Sequence, residues 1–426
     1  MDHTQASFSR VLVVVGTRPE AIKMIPVIRA LEGSGIFRPV VIATGQHTSL
    51  MSDLMTATGM MVDANLRVAE EIDGVAPSLN DVVARVISGI DSIWRSQSVP
   101  EKLKAMGRRT PEGAVACLVH GDTSSAAAAA LAAFNLQLPV VHVEAGLRTS
   151  NMLAPFPEEG NRQIISRLAA LHLAPTPENQ MNLVREGIDR DRIVITGNTS
   201  IDMLRWAVEQ TPDLGPGLEQ LTANPEAPIV LVTAHRRENW GDGLRGIARA
   251  VRELAEAYPA VQFVVPMHPN PVARDAIREQ LTAVENAWLV EPRDYSAFAL
   301  LMQRALLVIT DSGGVQEEAP ALGTPVLVTR DTTERSEGLA AGTLTLVGTD
   351  PERIVMEARR LLDDPAERSR RSELTNPYGD GHAADRIVQA LAQVFYTGPT
   401  IGVTVPDDQL RYAVRRRLGL GLAATV

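Results

Sequence analysis

The chain has 426 residues, of which 45% are hydrophobic and 22% charged, and its formal net charge at pH 7 is -10. This composition is typical of a globular protein, and the length exceeds what one hydrophobic core usually organises, so we expect two domains. The acidic balance disfavours a general nucleic-acid-binding protein, because phosphate contacts require a basic surface. The single cysteine, Cys117, excludes a disulfide framework, and the first ten residues contain no apolar leader. Both features predict a cytoplasmic protein.

Two successive series of β-branched segments predict the organisation of the chain. The first includes "RVLVVVGT", "FRPVVIATG", "AVACLVHGD" and "PVVHVEAG", each typical of a buried parallel strand and each separated from the next by a helical pattern. After residue 198 a stretch rich in proline and glycine indicates a domain crossing. A second series runs from "PIVLVTAH" to "TPVLVTR". The pattern predicts two α/β, doubly wound, Rossmann-like domains facing a cleft, with ligands at the carboxyl ends of the strands.

The segment "GTRPEAIK" follows the first predicted strand. Thr17 and Glu20 have the spacing of a capping box, and Pro19 is tolerated in a first helical turn, so helix formation explains these three residues. It does not explain Arg18 and Lys23, because the helix macrodipole disfavours cations at this end. An anionic ligand at the helix N-terminus would explain both. The dinucleotide fingerprint G-x-G-x-x-G and the P-loop are absent from the sequence.

Isolated carboxylates follow the later strands of the first series. Asp122 could cap the alanine-rich helix that starts after it, although Thr123 or Ser124 could cap that helix equally well. Glu144 has no capping role and would be costly if buried unpaired. Arg148 is a candidate partner for it in a structural ion pair.

Two adjacent acids, Glu158 and Glu159, lie in a loop framed by prolines, just before a predicted helix. Acids in a first helical turn are favourable without any chemistry, so we expect one of the two to be structural only.

The second series carries its own polar strand ends. His235, in "TAHRRENWG", is a candidate phosphate donor, and His268 is a weaker one because prolines surround it. The strongest phosphate signal is "TDSGGVQEE", in which a serine and two glycines open a helix directly after a strand. Of the two acids one turn into that helix, one would suit a ribose diol, because a carboxylate accepts from two hydroxyls at once. The scattered histidines and the absence of C-x-x-C and H-x-x-x-H motifs predict no metal site.

In this order the motifs "GTRPEAIK", "TGQH", "HGDT", "HVEAGLRT", "PFPEEGNR", "TGNTSIDML", "HRREN", "DSGGVQEEAPALGTPVLV" and "RDTTERSEG" resemble the non-hydrolysing UDP-N-acetylglucosamine 2-epimerases, from about Arg10 to about Phe395. The resemblance implies a glycosyltransferase-B-like fold, with domains at 1–198 and 199–376, a helix at 377–395 returning to the first domain, and an extension at 396–426. The extension shows no clear period. The resemblance also implies interconversion of UDP-GlcNAc and UDP-ManNAc through elimination of UDP to a 2-acetamidoglucal. It further implies a homodimer that uses neither metal nor nicotinamide.

The resemblance assigns roles to particular residues of this chain. It implies that Asp122, Glu144 and Glu158 are active-site carboxylates and that His235 is the active-site histidine near the diphosphate. The residues implied to bind the substrate are Arg18, Lys23, Arg293, Phe298, Ser312, Gly313, Gly314, Glu318 and Arg335.

Two positions concern specificity and regulation. Related sequences can carry glutamine at the position of Arg293, and an arginine cannot accept a hydrogen bond from uracil N3–H. Gln46 and His47 resemble the part of some bacterial members that binds a second, activating UDP-GlcNAc.

Three alternatives remain at this point. A hydrolysing 2-epimerase, which releases ManNAc and UDP, tends to read "GDR" where this chain reads "GDT". A glycosyltransferase of the same fold would need an acceptor site that no motif identifies. A catalytically silent nucleotide-sugar sensor would have no need of the full set of acids.

Overall fold

The computed structural model describes residues 8–46, 58–71, 74–96, 113–149, 151–210, 213–396 and 408–419. The chain divides into two compact units: one comprises Met1–Met203 with Gly381–Val426, and the other comprises Leu204–Asp380. Among the described residues, no helix is both long enough and apolar enough to span a bilayer.

The described part of the first unit contains a seven-stranded parallel sheet in the order β3-β2-β1-β4-β5-β6-β7. Its strands are β1 (Ser9–Val15), β2 (Phe37–Ala43), β3 (Ala64–Asn65), β4 (Ala114–His120), β5 (Val140–Val143), β6 (Leu171–Ala174) and β7 (Ile193–Ile195). The helices up to the unit boundary are α1 (Arg18–Gly33), α2 (Leu79–Ser96), α3 (Ser124–Asn135), α4 (Glu158–Leu168), α5 (Pro177–Arg185) and α6 (Thr199–Glu209), with a short 3-10 turn at Arg190–Arg192.

The second unit has a six-stranded parallel sheet in the order β10-β9-β8-β11-β12-β13. Its strands are β8 (Ile229–Thr233), β9 (Gln262–Pro266), β10 (Ala287–Val290), β11 (Ala305–Thr310), β12 (Val326–Val328) and β13 (Leu344–Leu346). Its helices are α7 (Glu219–Ala223), α8 (Asp242–Ala257), α9 (Pro271–Leu281), α10 (Tyr295–Arg304), α11 (Gly313–Ala321), α12 (Ser336–Ala341), α13 (Pro351–Asp363) and α14 (Pro365–Ser372), with a 3-10 turn at Arg237–Asn239. Two parallel sheets with alternating helices confirm the predicted α/β class.

Alternation along each strand explains why these apolar runs form central strands. In β1, Val11, Val13 and Val15 pack on one face of the sheet with residues of α1. Leu12 and Val14 pack on the other face with residues of α2 and α3. A strand buried on both faces has no polar side, so it appears in sequence as a continuous hydrophobic run.

The chain returns to the first unit through α15 (Ala383–Phe395). The backbone N–H groups of Ala383 and Ala384 donate to the Asp202 carboxylate at 3.2 and 2.8 Å, so this acid caps the returning helix. Ile387 and Leu391 of α15 then lie in the same core as α1.

The C-terminal extension is not irregular throughout, contrary to the absence of a clear period in its sequence. It contains α16 (Asp408–Arg417), whose Leu410 and Val414 are buried in the core of the first unit. Arg416 forms an ion pair with Asp189 at 3.1 Å. Three apolar positions of this helix are buried, Leu410, Ala413 and Val414, which is too few to produce a readable helical pattern.

Candidate active site

Glu144 follows β5 at the carboxyl edge of the first sheet, in a left-handed backbone conformation with φ 61°. This conformation costs a non-glycine residue on the order of 1–3 kcal/mol and persists only where the surrounding structure imposes it. Two residues later, Gly146 is required by packing, because a Cβ there would lie 2.2 Å from the Asn179 carbonyl oxygen. The turn after β5 therefore holds the Glu144 side chain in one place.

The side chain of Glu144 is paired with a cation from a different element. The Lys23 ammonium of α1 contacts Oε1, and Asn198 Nδ2 donates to the same oxygen at 3.0 Å. The buried His120 ring places Nε2 3.5 Å from Oε2. Burial alone would raise the pKa of Glu144, but Lys23 above all, with His120 and Asn198, holds it at about 2.

The ion pair between Glu144 and Arg148 that the sequence left open is not formed. Arg148 instead binds Glu186, with Nε 2.6 Å from Oε1 and Nη2 2.8 Å from Oε2. Its guanidinium also donates to Ser166 at 2.8 Å. Lys23 therefore takes the place that the sequence suggested for Arg148.

Asp122 is free of the capping role, because Thr123 takes it. The Thr123 hydroxyl accepts from the N–H of Ala126 at 3.0 Å and so caps α3. The Asp122 carboxylate instead binds Arg162, with Oδ2 2.9 Å from Nε and 2.7 Å from Nη2. Burial raises the pKa of Asp122, and the charges of Glu144 and Glu158 raise it further, against the opposing effect of Arg162.

The two adjacent acids at the start of α4 differ sharply. Glu159 is fully buried and accepts from the N–H of Thr149 at 3.0 Å and from Arg162 Nη1 at 3.0 Å. It is the structural member of the pair. Glu158 has a buried Oε2 with no hydrogen-bond partner in the part of the chain that the structure describes. A buried carboxylate oxygen in this condition is costly unless a ligand or water satisfies it.

The start of α1 and the end of β2 meet at the same sheet edge. Glu20 accepts from the N–H groups of Gly16 and Thr17, both at 2.7 Å, so the predicted capping box is present. Arg18 is half-buried and has no partner among the described residues, which leaves its guanidinium available to an anion. The side-chain amide oxygen of Gln46 accepts from the Ser125 hydroxyl at 2.8 Å, which ties this side chain to the N-terminus of α3. His47 lies outside the described residues.

In the second unit, His235 follows β8 and is held by an acid that the sequence analysis did not select. Asp311, directly after β11, is fully buried and has Oδ1 3.2 Å from His235 Nδ1. The ring of His268 stacks on that of His235, with centroids 5.5 Å apart and planes 9° apart. Burial first, and then His235, lowers the pKa of His268.

The start of α11 has the features of an anion site. The first-turn N–H groups of any helix have no intrahelical acceptor. Ser312, which precedes α11, makes no side-chain capping bond to them, so they can bind an anion. A Cβ at Gly313 would lie 3.0 Å from the Arg335 guanidinium, so glycine permits the close approach of this cation. A Cβ at Gly314 would meet nothing within 4 Å, which leaves the helix end open on that side.

The remaining predicted residues of this unit lie around α10 and α11. Glu317 pairs with Arg335 at 3.0 Å and so orients the cation, while Glu318 accepts from the Tyr295 hydroxyl at 3.2 Å. Phe298 is part of α10 and is half-buried, packed against the hydrophobic core of the second unit. The guanidinium of Arg293 donates to the Pro216 carbonyl oxygen at 2.7 Å, which directs it toward the loop at 213–217.

Sequence reasoning missed three residues that contact the predicted ones. Arg162 binds Asp122, Asn198 binds Glu144, and Asp311 binds His235. Asn198 and Asp311 each follow an apolar strand, which is the signal that selected the other candidates. Within the described ranges, no group of three or more His, Cys, Asp and Glu side chains is arranged to hold a metal ion.

Comparison with known proteins gives a consistent set of relatives. A family model described as UDP-N-acetylglucosamine 2-epimerase matches residues 29–392, a span that includes Asp122, Glu144 and Glu158. The UDP-N-acetylglucosamine 2-epimerase of Escherichia coli (strain K12) is 42% identical over 387 residues, covering 90% of this chain and 98% of that protein. The protein of the same name from Salmonella typhimurium is 43% identical over 389 residues, covering 90% and 98%.

A solved structure agrees with the sequence comparisons. The crystal structure of UDP-GlcNAc 2-epimerase from Neisseria meningitidis bound to UDP-GlcNAc superposes with a TM-score of 0.76. The two chains are 39% identical, and the match covers 90% of this chain and 100% of the Neisseria chain.

The depressed pKa of Glu144 leads to a prediction about stability. A carboxyl whose pKa is about 2 in the folded state and the ordinary 4.5 in the unfolded chain stabilises the fold above about pH 5, and this contribution is lost as pH falls toward 2. We expect the urea midpoint of wild type minus that of Glu144→Gln to be constant from pH 7 to 5 and to decrease below pH 5. Glu209→Gln removes an exposed acid and should show a smaller shift. A Glu144→Gln difference that is the same at pH 7 and pH 3 would contradict the Lys23–Glu144 pairing.

Proposed function

The chain belongs to the UDP-N-acetylglucosamine 2-epimerase family, and from this premise we propose that it interconverts UDP-GlcNAc and UDP-ManNAc without releasing free sugar. The observation that carries the proposal is the group of three carboxylates, Asp122, Glu144 and Glu158, at one edge of the first sheet. Each has different surroundings among the described residues: Asp122 has an arginine, Glu144 a lysine, and Glu158 a buried oxygen without a partner.

The reaction needs such a group because the proton at C2 of an N-acetyl sugar is very weakly acidic. In the proposed route a base removes this proton, the bond between C1 and the diphosphate oxygen breaks, and UDP leaves with its electron pair. The product is a 2-acetamidoglucal with a C1–C2 double bond. Return of a proton to the opposite face of C2 and of UDP to C1 gives the epimer. The route therefore needs an acid–base group on each face and stabilisation of the leaving diphosphate.

The different surroundings of the carboxylates support different roles. Asp122, whose pKa is raised above that of an ordinary aspartate, is suited to exchange a proton, and we assign it to one face of C2. We assign Glu158, whose buried oxygen has no partner in the described ranges, to the other face. Glu144 is held ionised by Lys23, so we assign it the stabilisation of positive charge that develops at C1 as UDP leaves.

The second unit supplies the groups that suit a nucleoside diphosphate. We propose that the start of α11, at Ser312, Gly313 and Gly314, and the Arg335 guanidinium bind the diphosphate, and that His235 donates to it. The residues that we place elsewhere on the ligand are Glu318 at the ribose, Phe298 and Arg293 at the uracil, and Arg18 at the diphosphate.

The test of the overall reaction is direct. Enzyme treated with a chelator and free of added nucleotide cofactor is incubated with UDP-GlcNAc, and the products are followed by proton and phosphorus NMR. We expect UDP-ManNAc at equilibrium with UDP-GlcNAc and no accumulation of free ManNAc. Stoichiometric ManNAc and UDP would identify a hydrolysing enzyme, and binding without turnover would identify a sensor. Activity that required a divalent ion would contradict a metal-independent reaction.

The amide variants test the assigned residues. Asp122→Asn, Glu144→Gln and Glu158→Gln keep the shape of each side chain and remove its charge, and we expect each to lower kcat by roughly 10²-fold or more. Glu186→Gln, which breaks the ion pair with Arg148, is the matched control and should keep kcat within a few-fold. Wild-type kcat in all three amide variants would remove these residues from the mechanism.

We also propose that the enzyme is a homodimer, as the resemblance implies. The proposal is supported by apolar side chains exposed on two helices that pack together: Leu131 and Phe134 on α3, and Ile164 on α4, are 36%, 52% and 52% exposed. Exposed apolar side chains gathered on one surface are typical of an interaction site.

The oligomeric state can be measured by sedimentation equilibrium. We expect wild type at twice the chain mass of 46.0 kDa and Phe134→Glu shifted toward one chain mass. Met356→Glu, at an exposed apolar residue of α13 in the second unit, should leave the mass unchanged. Wild-type protein at a single chain mass at micromolar concentration would overturn the proposal.

A further inference from the structure

Asp311 lies where two neighbouring strands of the second sheet end together. β11 pairs with β8 so that Thr310 stands opposite Thr233, and the two hydroxyls are 2.6 Å apart. The N–H of Asp311 donates to the Thr233 carbonyl oxygen at 3.3 Å. The carboxylate is therefore fixed beside the segment that leaves β8, which begins with Ala234 and His235.

One oxygen of this carboxylate organises the backbone of that segment. Oδ2 accepts from the N–H groups of His235 and Arg236 at 2.9 and 2.8 Å, and from Asn239 Nδ2 at 3.1 Å. Three donors on one oxygen fully account for a structural role. They leave the second oxygen unexplained.

The second oxygen, Oδ1, is buried and faces His235. His235 Nδ1 lies 3.2 Å away, within ion-pair distance, although no aligned hydrogen bond reaches Oδ1 among the described residues. An ionised oxygen without a donor is costly when buried, so the proton of a neutral His235 ring belongs on Nδ1. The stacked His268 ring limits rotation of His235, and His268 is itself fixed because its Nδ1 accepts from the N–H of Asn270 at 3.1 Å.

We propose that Asp311 is a positioning residue for the reaction: it holds His235 with its proton on Nδ1 and leaves Nε2 as the nitrogen that meets the diphosphate oxygens. This inference rests on the proposed function of His235. When Nε2 takes up a proton from solvent water, Nε2–H donates to the leaving diphosphate while the Asp311 carboxylate balances the imidazolium charge. Although burial raises the pKa of Asp311, His235 and the backbone N–H groups lower it overall, so the carboxylate is ionised and ready for this role.

Asp311→Asn separates the structural role from the positioning role. The three donors on Oδ2 require an oxygen at that position, so the asparagine must place its amide NH2 against His235. That NH2 is a donor, and it can be satisfied only if Nδ1 gives up its proton and accepts. The substitution therefore keeps the backbone contacts and moves the ring proton to Nε2, as in a catalytic triad whose aspartate is replaced by asparagine.

The ring proton can be observed without any substrate. In protein with ¹⁵N-labelled histidine, long-range ¹H–¹⁵N NMR at a pH where the ring is neutral should show His235 as the Nδ1–H tautomer in wild type and as the Nε2–H tautomer in Asp311→Asn. His235→Gln identifies the resonance. A wild-type ring with its proton on Nε2 would overturn the inference, whether or not any variant folds.

Kinetics complete the test. With UDP-GlcNAc we expect Asp311→Asn to lower kcat by roughly 10²-fold or more with KM changed only a few-fold. Asn239→Ala removes one of the three donors on Oδ2 and should lower the thermal midpoint while it keeps the wild-type tautomer and kcat. A changed tautomer with wild-type kcat in Asp311→Asn would overturn the positioning role. Absence of turnover in wild type would instead refute the proposed function, and the tautomer result would still stand.

Discussion

The contact between Lys23 and Glu144 is the interaction on which the first unit's site depends. It joins the first helix to the end of β5 and places a cation beside a carboxylate that a strained backbone turn holds at the sheet edge. Without the ammonium, burial would favour a neutral Glu144. With it, Glu144 stays ionised, and its charge contributes to the raised pKa of Asp122. One ion pair thereby separates the protonation behaviour of two carboxylates on neighbouring strands, which is how a single site obtains both acid and base character.

The second unit uses a buried carboxylate in a related way. Asp311 also directly follows a central parallel strand, but backbone N–H groups rather than a lysine stabilise its charge. An acid satisfied in this way is suited to orient a neighbour rather than to exchange protons. Each sheet therefore places a carboxylate directly after a parallel strand, but for a different purpose, and the nearest donors decide which purpose it is.

Much of this arrangement is predictable from sequence because it follows from topology. Parallel strands end at one edge, so the polar residues that follow "VACLVHG" and "VVHV" must be neighbours, and the capping box at Thr17 and Glu20 has a fixed spacing. Partner choice is not predictable in this way. Lys23 and Glu144 are 121 positions apart, whereas Arg148, four positions from Glu144, pairs elsewhere. The roles of Glu158 and Glu159 likewise depend on which one Arg162 and Thr149 reach, and first-turn acids look alike in sequence.

In the proposed route, carboxylates at the carboxyl edge of the first sheet exchange the C2 proton of the sugar, and the isotope found at C2 measures this exchange most directly. Wild-type enzyme is incubated with UDP-GlcNAc in deuterated buffer, and both nucleotide sugars are analysed by NMR during the approach to equilibrium. We expect the UDP-ManNAc formed to carry deuterium at C2 and the UDP-GlcNAc pool to gain it as the reaction reverses. UDP-ManNAc that keeps the original hydrogen at C2 through many turnovers would contradict proton exchange through these side chains.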